Sequence, residues 1–360
     1  MTDTGEPCIL YGELYTKYKS EVISDIFSKT DIDTRKLVKS KANDVIIPCS
    51  GETAVDIATA RCVPYDNILL GGDLNIIRLY DCDGSFMSYQ LNGKRKYDLA
   101  KVAQGVSVVH LYGDHLKGVK TYNPCLEEQK KIAKLLSLLD ERIATQNKII
   151  EDLKKLKSAI IENVFDDKHS ERLQLDNVGS YIRGLTYSSN DVVEHGGTLV
   201  MRSNNIVNGS LLDYNNNVVF VNKQMSAEQQ LQNGDIVICM ANGSSSLVGK
   251  SSFYDGNCHS PVTVGAFCGI YRSKEPIVKW LFQTNKYRRY IWNSLQGGNG
   301  AIANLNGEDI LNMSFSIPNA PIKDTCVKTL TSVDSALENN ISLCALYTLQ
   351  KQHLLRQMFI

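Results

Sequence analysis

The chain has 360 residues, enough for two domains, because single hydrophobic cores seldom grow to that size. Hydrophobic residues make up 43% and charged residues 22%, no run approaches the roughly 20 apolar residues of a membrane span, and MTDTGEPCIL does not resemble a signal peptide, so we expect a cytoplasmic protein. The formal net charge of zero argues against binding of nucleic acid through a broad basic face, but it is compatible with positive charge that is concentrated locally.

Ten cysteines are scattered through the chain, with no CxxC pair and no histidine at a spacing that suits a metal ligand. Disulfide frameworks and structural zinc sites normally show such spacing, so the pattern predicts cytosolic thiols and no metal site. Zinc or disulfide bridges are the alternative that the sequence leaves open.

Residues 1–123 alternate short apolar runs with turn-forming residues, as at Val45, Ile46 and Ile47. This pattern predicts a mixed α/β domain with an irregular sheet. Its loops carry basic side chains of the kind that hold phosphates or read guanine. The candidate nucleic-acid contacts are Lys17, Lys19, Lys94, Arg95 and Lys96. Each of them taken alone is more often a solvated surface charge.

A long helix is predicted after Pro124, because residues three and four apart follow a heptad pattern over four heptads. The seam residues are Leu136, Leu139, Ile143, Gln146, Ile150, Leu153, Lys157, Ile160 and Val164. Glu127 and Glu128 near the start, and the absence of Pro and Gly inside, favour one uninterrupted helix of about 60 Å. The alternative is a helix that packs only on its own domain.

The region from residue 168 to residue 317 repeats the mixed pattern, with an apolar run at Ile236 to Cys239 and a loop rich in Asn, Gly and Ser after it. Amide, hydroxyl and guanidinium groups are the ones that pair with base edges in the grooves of DNA. The candidate contacts here are Arg183, Thr186, Arg202, Asn204, Asn205, Asn242, Ser244, Lys250, Arg288 and Arg289.

A second long helix is predicted after Pro318, again with a heptad seam. Its seam residues are Leu330, Val333, Leu337, Asn340, Cys344, Tyr347, Lys351, Leu354 and Met358. A parallel pair of helices would set Lys157 against Lys351, so we expect antiparallel pairing. In that arrangement we expect Gln146 to meet Lys351 and Lys157 to meet Asn340.

The chain is a repeat of itself. Residues 124–165 align without a gap on residues 318–359, so that Asp140 corresponds to Asp334 and Lys157 to Lys351, each 194 residues later. We therefore expect a pseudo-twofold arrangement with domains at 1–123 and 168–317 and helices at 124–167 and 318–360. About thirty residues, from 170 to 198, have no counterpart in the first half. The first domain is thus either truncated or completed by residues from elsewhere.

The motif P…EQxxIAxxLxxLD, which includes Glu128, Gln129 and Asp140, resembles the first conserved region of the specificity subunits of type I restriction-modification enzymes. Other matching stretches are residues 11–16, 47–53, 71–75 and 103–111, so the resemblance covers essentially the whole chain. It implies two target-recognition domains that each read half of a split DNA site. It also implies antiparallel coiled-coil helices that fix the gap between the halves.

The resemblance further implies a non-catalytic chain that binds double-stranded DNA, two methyltransferase subunits and a restriction subunit that is a motor and nuclease. S-adenosylmethionine, ATP and Mg would then be bound by those partners, with no cofactor, metal or membrane contact in this chain. One departure lies in the second helix, where Pro321, Ile322, Lys323 and Asp324 replace the Glu-Gln region. This departure weakens the expectation that both partner-docking surfaces are equivalent.

Two other functions are weighed against this interpretation. An intrinsic DNA methyltransferase would need an (N/D/S)PP(Y/F) motif and a motor would need a P-loop, and the sequence has neither. A truncated or silent specificity cassette, or a coiled-coil scaffold, would keep the helices without independent DNA reading. Sequence-specific DNA binding in the presence of a methyltransferase separates that alternative from a working specificity subunit.

Overall fold

The computed structural model describes residues 4–33, 37–165, 171–295 and 303–359. The chain divides into two compact units: unit 1 is Met1–Ile150 with Asn339–Ile360, and unit 2 is Glu151–Glu338. Helices and strands are mixed in both units, which confirms the predicted α/β class. Within the described ranges no helix combines the length and apolarity of a membrane span, and the ten cysteines are free thiols.

The described residues of unit 1 form three small sheets. Its strands are β1 (Glu6–Ile9), β2 (Ser28–Thr30), β3 (Val38–Lys39), β4 (Asp44–Pro48), β5 (Ser50–Gly51), β6 (Arg61–Val63), β7 (Leu69–Leu70), β8 (Leu74–Ile77) and β9 (Val109–His110). Its short helices are α1 (Glu13–Thr16), α2 (Ala54–Ile57), α3 (Gly84–Asn92), α4 (Lys96–Val102) and α5 (Gly113–Lys117). The strand orders are β2-β1-β7-β3, β6-β4-β8 and β5-β9.

The central strand of unit 1 is β4, which is buried along its whole length. Successive side chains of a strand point to opposite faces of the sheet. Val45 accordingly packs in one apolar cluster with Met87, whereas Ile46 packs in another with Ile9 and Val63. The apolar run that the sequence shows at this position is therefore a strand with core on both sides.

The first long helix is α6 (Leu126–Val164), as the heptad pattern predicts. Unit 2 continues with β10 (Glu171–Gln174), α7 (Leu175–Val178), β11 (Gly179–Arg183), β12 (Val192–Val193), β13 (Thr198–Met201), β14 (Val219–Val221), β15 (Ile236–Cys239), β16 (Ala241–Asn242), β17 (Ser251–Phe253), β18 (Val262–Val264), β19 (Cys268–Ser273), α8 (Val278–Leu281), α9 (Asn285–Leu295), β20 (Ala303–Asn304), α10 (Gly307–Leu311) and β21 (Ser314–Ile317). The second long helix is α11 (Ala320–Gln357), the last helix of the described residues.

The internal repeat extends from the helices into the domains. In unit 1, β4 pairs with β6 and β8, and in unit 2, β15 pairs with β17 and β19 in the same antiparallel sense. Likewise β1 lies parallel to β7, and β13 lies parallel to β18. An ion pair with a buried carboxylate also recurs, because Arg78 forms a double hydrogen bond with Asp44 and Arg272 forms one with Asp235.

One difference between the units lies at the residues that the sequence comparison leaves unmatched. In unit 2, β11 covers the outer edge of β19 and β10 pairs with β21. In unit 1, β8 is the last strand of its sheet among the described residues. The thirty extra residues of the second half thus form strands that unit 1 does not have within its described residues.

The long helices run antiparallel, as predicted. Within unit 1, Gln146 of α6 donates a hydrogen bond to Asn340 of α11, and Asp140, which comes earlier in α6, pairs with Lys351, which comes later in α11. Within unit 2, Lys157 pairs with Asp334 at 2.7 Å. Residue numbers rise along one helix while they fall along the other, which only antiparallel helices produce.

The predicted partners of the polar seam residues are wrong. Lys351 pairs with Asp140 rather than with Gln146, and Lys157 pairs with Asp334 rather than with Asn340. A buried ammonium group is costly without an opposite charge, so each lysine reaches the nearest carboxylate instead of a neutral amide. The two amides, Gln146 and Asn340, then satisfy each other.

Candidate nucleic-acid interface

Loops from three parts of unit 2 converge on the turn between β18 and β19. The amide of Gly265 in this turn donates to the carbonyl of Met201 at the end of β13, 2.8 Å away. The amide of Met240, which follows β15, donates to the carbonyl of Phe267 at 2.9 Å. Leu185, just after β11, forms a parallel bridge to Gly265. The pairing of distant strands therefore builds one surface from segments far apart in sequence.

Six candidate contacts predicted from the sequence lie on these converging loops: Arg183, Thr186, Arg202, Asn204, Asn242 and Ser244. All are exposed except Asn242, which is half-buried and donates from Nδ2 to the hydroxyl of Ser203 at 3.3 Å. Phe267 at the tip of the turn is 67% exposed and adds an aromatic face to the same surface. The surface therefore offers the hydrogen-bonding and apolar groups that base edges require.

Asn205 needs a correction, because its side chain is fully buried. Its Nδ2 donates to the carbonyls of Asp213 and Asn216, at 3.0 and 2.7 Å, and its Oδ1 accepts from the amide of Arg202 at 2.8 Å. These bonds use its polar atoms inside the domain, so Asn205 shapes the loop and has no group left to offer a base. In unit 1 the carboxylate of Glu13 likewise accepts a hydrogen bond from the backbone amide three residues earlier, that of Leu10.

A cleft of about 250 Å³ lies beside α9 and is lined by Lys250, Arg288, Ser245, Ser246 and Trp292 among others. None of the described residues that line it is acidic. The hydroxyl of Tyr287 donates to the carbonyl of Gly249 at 2.8 Å, which ties the loop of Lys250 to α9. The cleft is therefore suited to an anion such as a phosphate group.

The helix α9 is amphipathic, with Tyr287 and Ile291 buried and Arg288 and Arg289 exposed. Trp292 on this helix is 64% exposed, and it is not among the candidate contacts predicted from the sequence. The amphipathic pattern of this short basic helix places a tryptophan on its polar face. Because Trp is usually buried, this position could have identified Trp292 as a candidate contact from the sequence.

Unit 1 carries the basic residues Lys94, Arg95 and Lys96 between α3 and α4, in the region of the repeat that corresponds to α9 of unit 2. Lys94 is exposed, whereas Arg95 is half-buried and its guanidinium lies 3.5 Å from Asp98. Lys96 is also half-buried, and this burial lowers its pKa. Of the three basic residues, Lys94 is the one best placed to reach a phosphate.

The other two basic candidates of unit 1 follow α1. Lys17 forms an ion pair of 2.7 Å with Glu13, and the ammonium of Lys19 donates to the carbonyl of Thr16 at 2.9 Å. Burial alone would raise the pKa of Glu13, but hydrogen bonds from Lys17 and Ser28 outweigh it and the net pKa is lowered. Lys17 is thus partly neutralised by its own domain, and both lysines remain exposed.

The residues predicted for the helix seam are largely removed from solvent. Leu136, Leu139, Gln146, Ile150, Lys157, Leu330, Leu337 and Lys351 are buried, and Ile143, Leu153, Val333, Asn340 and Leu354 are half-buried. Leu136 packs in one cluster with Phe86 of α3 and Leu355 of α11, so the seam contacts both the partner helix and the domain.

The two residues of the Glu-Gln pair at the start of α6 have different surroundings. Glu128 is exposed, whereas Gln129 is 2% exposed. The Oε1 of Gln129 accepts from the amide of Asp83, and its Nε2 donates to the carbonyl of Pro124, both at 2.8 Å. Gln129 therefore fastens α6 to unit 1, and only Glu128 is available to another molecule.

A buried polar network joins the helices to the domain in unit 1. Lys351 pairs with Asp140 and with Glu21, which is 7% exposed. Asp140 also accepts hydrogen bonds from the hydroxyls of Ser20 and Tyr89, at 3.1 and 2.7 Å. One ammonium group thus holds together two carboxylates from different parts of the fold.

The equivalent network of unit 2 has the opposite balance of charge. Asp334 pairs with Lys157 at 2.7 Å and with Lys279 at 2.8 Å, and it accepts from the indole of Trp280 at 3.1 Å. Burial raises the pKa of Asp334, but the two ammonium groups outweigh it and the net pKa is lowered. Burial also lowers the pKa of Lys157, yet with two cations around one carboxylate the ionised form of Asp334 is favoured.

Comparison with known proteins gives one family. The family model described as "Type I restriction modification DNA specificity domain" matches residues 10–155 and 168–343. The chain is 35% identical over 155 residues to the EcoKI specificity subunit of Escherichia coli K12, a match that covers 40% of this chain and 31% of that protein. It is 29% identical over 157 residues to the MjaVIII specificity subunit of Methanocaldococcus jannaschii, covering 43% and 35%. The matches span about a third of these relatives' length.

A solved structure shares the fold over nearly the whole chain. The S subunit of a type I restriction-modification system from M. genitalium superposes with a TM-score of 0.62 at 17% identity, covering 99% of this chain and 92% of that one. The two matched segments of the family model and this superposition agree with the repeat of units 1 and 2.

Proposed function

Because the chain belongs to the type I restriction-modification DNA specificity family, we propose that it binds double-stranded DNA as the non-catalytic, sequence-reading subunit of such a system. Its activity resides in recognition, and the chemistry belongs to its partners. We propose the domain limits 1–123 and 168–317 for the two target-recognition domains, with the helical regions 124–167 and 318–360 between and after them. A protein that binds DNA in this role is expected in the cytoplasm.

The observation that carries this proposal is the repeated placement of exposed basic side chains. Lys94 in unit 1 and Arg288 on α9 of unit 2 are exposed basic side chains in corresponding regions of the two units, which supports contact of each unit with one stretch of DNA backbone. Phosphate contacts position a protein on the duplex, and base contacts then provide the sequence information. A chain that contains the same reader twice suits a target made of two halves.

In unit 2 the proposal assigns separate tasks to the two adjoining surfaces. Lys250 and Arg288 in the cleft hold phosphate groups, and Trp292 packs against sugar or base. The exposed side chains of the converging loops, among them Arg183, Arg202 and Asn204, read base edges. Each correct bidentate contact contributes about 1–3 kcal/mol of discrimination, so a few such residues account for a specific site.

The two long helices fix the distance between the half-sites in this proposal. The 39 residues of α6 and the 38 residues of α11 correspond to about 60 Å of helix at 1.5 Å per residue. That length equals roughly 18 base pairs of B-form DNA at 3.4 Å each. Helix length then determines the length of the non-specific spacer.

The helical part of unit 1 supports docking of a partner subunit. Apolar side chains outside the seam are exposed on both of its helices: Leu135, Leu138, Ile149, Ile341, Leu343, Leu346 and Leu349. Leu346 and Leu349 are 61% and 60% exposed, and apolar surface of this extent is typical of a protein interface. We propose that a methyltransferase subunit covers this face and that a second one and the restriction subunit complete the enzyme. These partners bind S-adenosylmethionine, ATP and Mg.

The proposal is tested by purifying the chain with its methyltransferase and titrating labelled duplex DNA that carries the motif methylated in the cell. Arg202→Ala together with Asn204→Ala should reduce the preference for that motif over a scrambled duplex by about tenfold or more, since each wrong or missing base contact costs about 1–3 kcal/mol. The exposed Asn215→Ala change serves as the matched control. Equal affinity of the wild-type complex for both duplexes would favour the silent cassette or scaffold instead.

A further inference from the structure

The turn between β7 and β8 of unit 1 is built like the turn between β18 and β19 of unit 2. The amide of Gly71 donates to the carbonyl of Ile9 at the end of β1, 2.9 Å away. The amide of Cys49, which follows β4, donates to the carbonyl of Asp73 at 2.8 Å. The turn of unit 2 makes the same two bonds to the ends of β13 and β15. Unit 1 therefore has a surface of converging loops of its own, with Asp73 at the place that Phe267 occupies in unit 2.

A further loop of unit 1, residues 104–108, lies beside this surface. It leads into β9, which pairs antiparallel with β5 so that His110 is opposite Ser50. The hydroxyl of Ser50 donates in turn to the carboxylate of Asp73. This pairing brings the end of the loop next to the turn, just as β16 pairs with β20 in unit 2.

The base of this loop is fixed by hydrogen bonds and by burial. The amide of Gln104 donates to the carbonyl of His110 at 2.9 Å, and the amide of His110 donates back to the carbonyl of Gln104 at 2.7 Å. Val109 is buried in the apolar core of unit 1. Gly105 has a φ of 126°, and a Cβ at this position would collide with the carbonyl oxygen of Val108. The glycine and the anchored ends therefore hold the loop in one shape.

The tip of the loop presents apolar side chains to solvent. Val106 is 97% exposed, more than any other large apolar side chain of the described residues, and Val108 is 52% exposed. Residues 104–108 include no charged side chain. Apolar residues scattered singly over a surface are normal, but these two are held by a fixed loop beside a candidate reading surface. In unit 2 the apolar group of that surface is Phe267 on the turn itself, where unit 1 has Asp73.

We propose that Val106 reads a thymine in the half-site that unit 1 contacts, by packing on the 5-methyl group of that base in the major groove. Apolar side chains recognise thymine through this methyl group, which lies in the major groove and which unmodified cytosine lacks. A short branched side chain in a loop without basic residues is poorly suited to the minor groove, where basic side chains and long apolar wedges bind. The inference rests on the proposed DNA reading and adds the kind of base that unit 1 recognises.

The test uses the full chain with its methyltransferase and labelled duplex DNA that carries the motif methylated in the cell. Each thymine on either strand of the two half-sites is replaced in turn by deoxyuridine, which lacks the 5-methyl group, and affinity is measured by fluorescence anisotropy. We expect the wild-type complex to bind about fourfold more weakly when one particular thymine is replaced, which is the effect of one buried methyl group. Val106→Ser should weaken binding to the unmodified duplex by at least the same factor, and it should bind the duplex with deoxyuridine at that position equally well.

Two controls accompany this variant. Val38→Ser, at an exposed position of β3 in the same unit, should keep the full effect of deoxyuridine. Replacement of thymines in the other half-site should affect Val106→Ser and the wild-type complex alike. Because the side chain of Val106 is almost fully exposed, Val106→Ser should also keep the wild-type melting temperature.

Two results would overturn the inference and leave the proposed function intact. One is a wild-type complex that prefers the motif to a scrambled duplex but has the same affinity whichever thymine is replaced. The other is a Val106→Ser complex that keeps the full effect of deoxyuridine at every position, since another residue would then read the methyl group. Weaker assembly of that variant with the methyltransferase, measured by sedimentation, would show that the loop contacts the partner protein instead. Equal affinity of the wild-type complex for the motif and the scrambled duplex would refute both the proposed function and this inference.

Discussion

Lys351 and Lys157 are equivalent in the repeat, yet their replacement by methionine should have unequal effects on stability. Lys351 is the ammonium group that the carboxylates of Asp140 and Glu21 share in unit 1. Lys157 is one of two ammonium groups around the single carboxylate of Asp334 in unit 2. We therefore expect Lys351→Met to be the more damaging change.

The magnitudes follow from what each change leaves behind. Removal of one partner from a buried ion pair costs about 3–5 kcal/mol. Lys351→Met leaves two carboxylates close together, and among the described residues the hydroxyls of Ser20 and Tyr89 still donate to Asp140, so we expect a loss in that range. Lys157→Met leaves Asp334 paired with Lys279, and its cost should be nearer that of one charged hydrogen bond, about 1.5–3 kcal/mol.

The two units need separate readouts, because a chain with two compact units does not unfold in one step. Hydrogen exchange measured by mass spectrometry over increasing denaturant reports the opening free energy of each unit. Lys148→Met, at an exposed position of α6, is the matched control and should change stability by less than about 0.5 kcal/mol. A loss for Lys157→Met that equals or exceeds the loss for Lys351→Met would refute the reasoning.

Three further predictions concern DNA binding, pH and the helix seam. Arg288→Ala should weaken binding to all DNA sequences alike and should reduce the slope of log affinity against log salt concentration by about one. Fluorescence anisotropy at several salt concentrations measures this slope, and an unchanged slope would show that Arg288 does not contact a phosphate. The pKa values of Asp44 and Asp334 are lowered, because their cationic partners outweigh the effect of burial. The stabilising effect of these carboxylates is therefore present above the ordinary carboxyl pKa of about 4, and it is lost as the pH falls through the lowered pKa values. Melting temperature against pH should therefore fall on the acid side, and Asp334→Asn should flatten that fall; a variant with the wild-type acid slope would contradict it. Finally, Gln146→Leu alone should destabilise the helix pair by about 1–3 kcal/mol by leaving the amide of Asn340 without this partner, whereas the double change with Asn340→Leu should recover most of the loss; a double-mutant cycle with no coupling would count against the contact.

The sequence contained the long helices, because a heptad pattern maintained over four heptads depends only on local spacing. It also contained their direction, because a parallel pair would set Lys157 against Lys351. It did not contain the partners of Lys157 and Lys351. Asp140 and Asp334 each come one residue after a seam position and therefore lie beside the seam. The long side chains of Lys351 and Lys157 reach these neighbouring positions. The need to neutralise a buried charge determines these ion pairs, and the heptad pattern of a and d positions contains no information about that charge balance.

The candidate site was predictable in residue type but not in assembly. Arg183, Arg202 and Asn242 come together only because strands distant in sequence pair around the turn at Gly265, and no local pattern specifies those pairs. Asn205 was selected for the same chemistry as its neighbours, but its amide is used by the backbone of its own loop. The DNA-contacting roles of the remaining residues stay predictions.

The central claim, that this chain gives a type I methyltransferase its DNA sequence specificity, is tested most directly by sequencing methylated bases in cells. Cells that carry the chain with an expressed and active methyltransferase partner are compared with cells that lack only the chain. The account predicts methyl-adenine on a motif of two parts separated by a fixed spacer, lost on deletion and restored by the wild-type chain. Identical methylation in both cells would contradict the account.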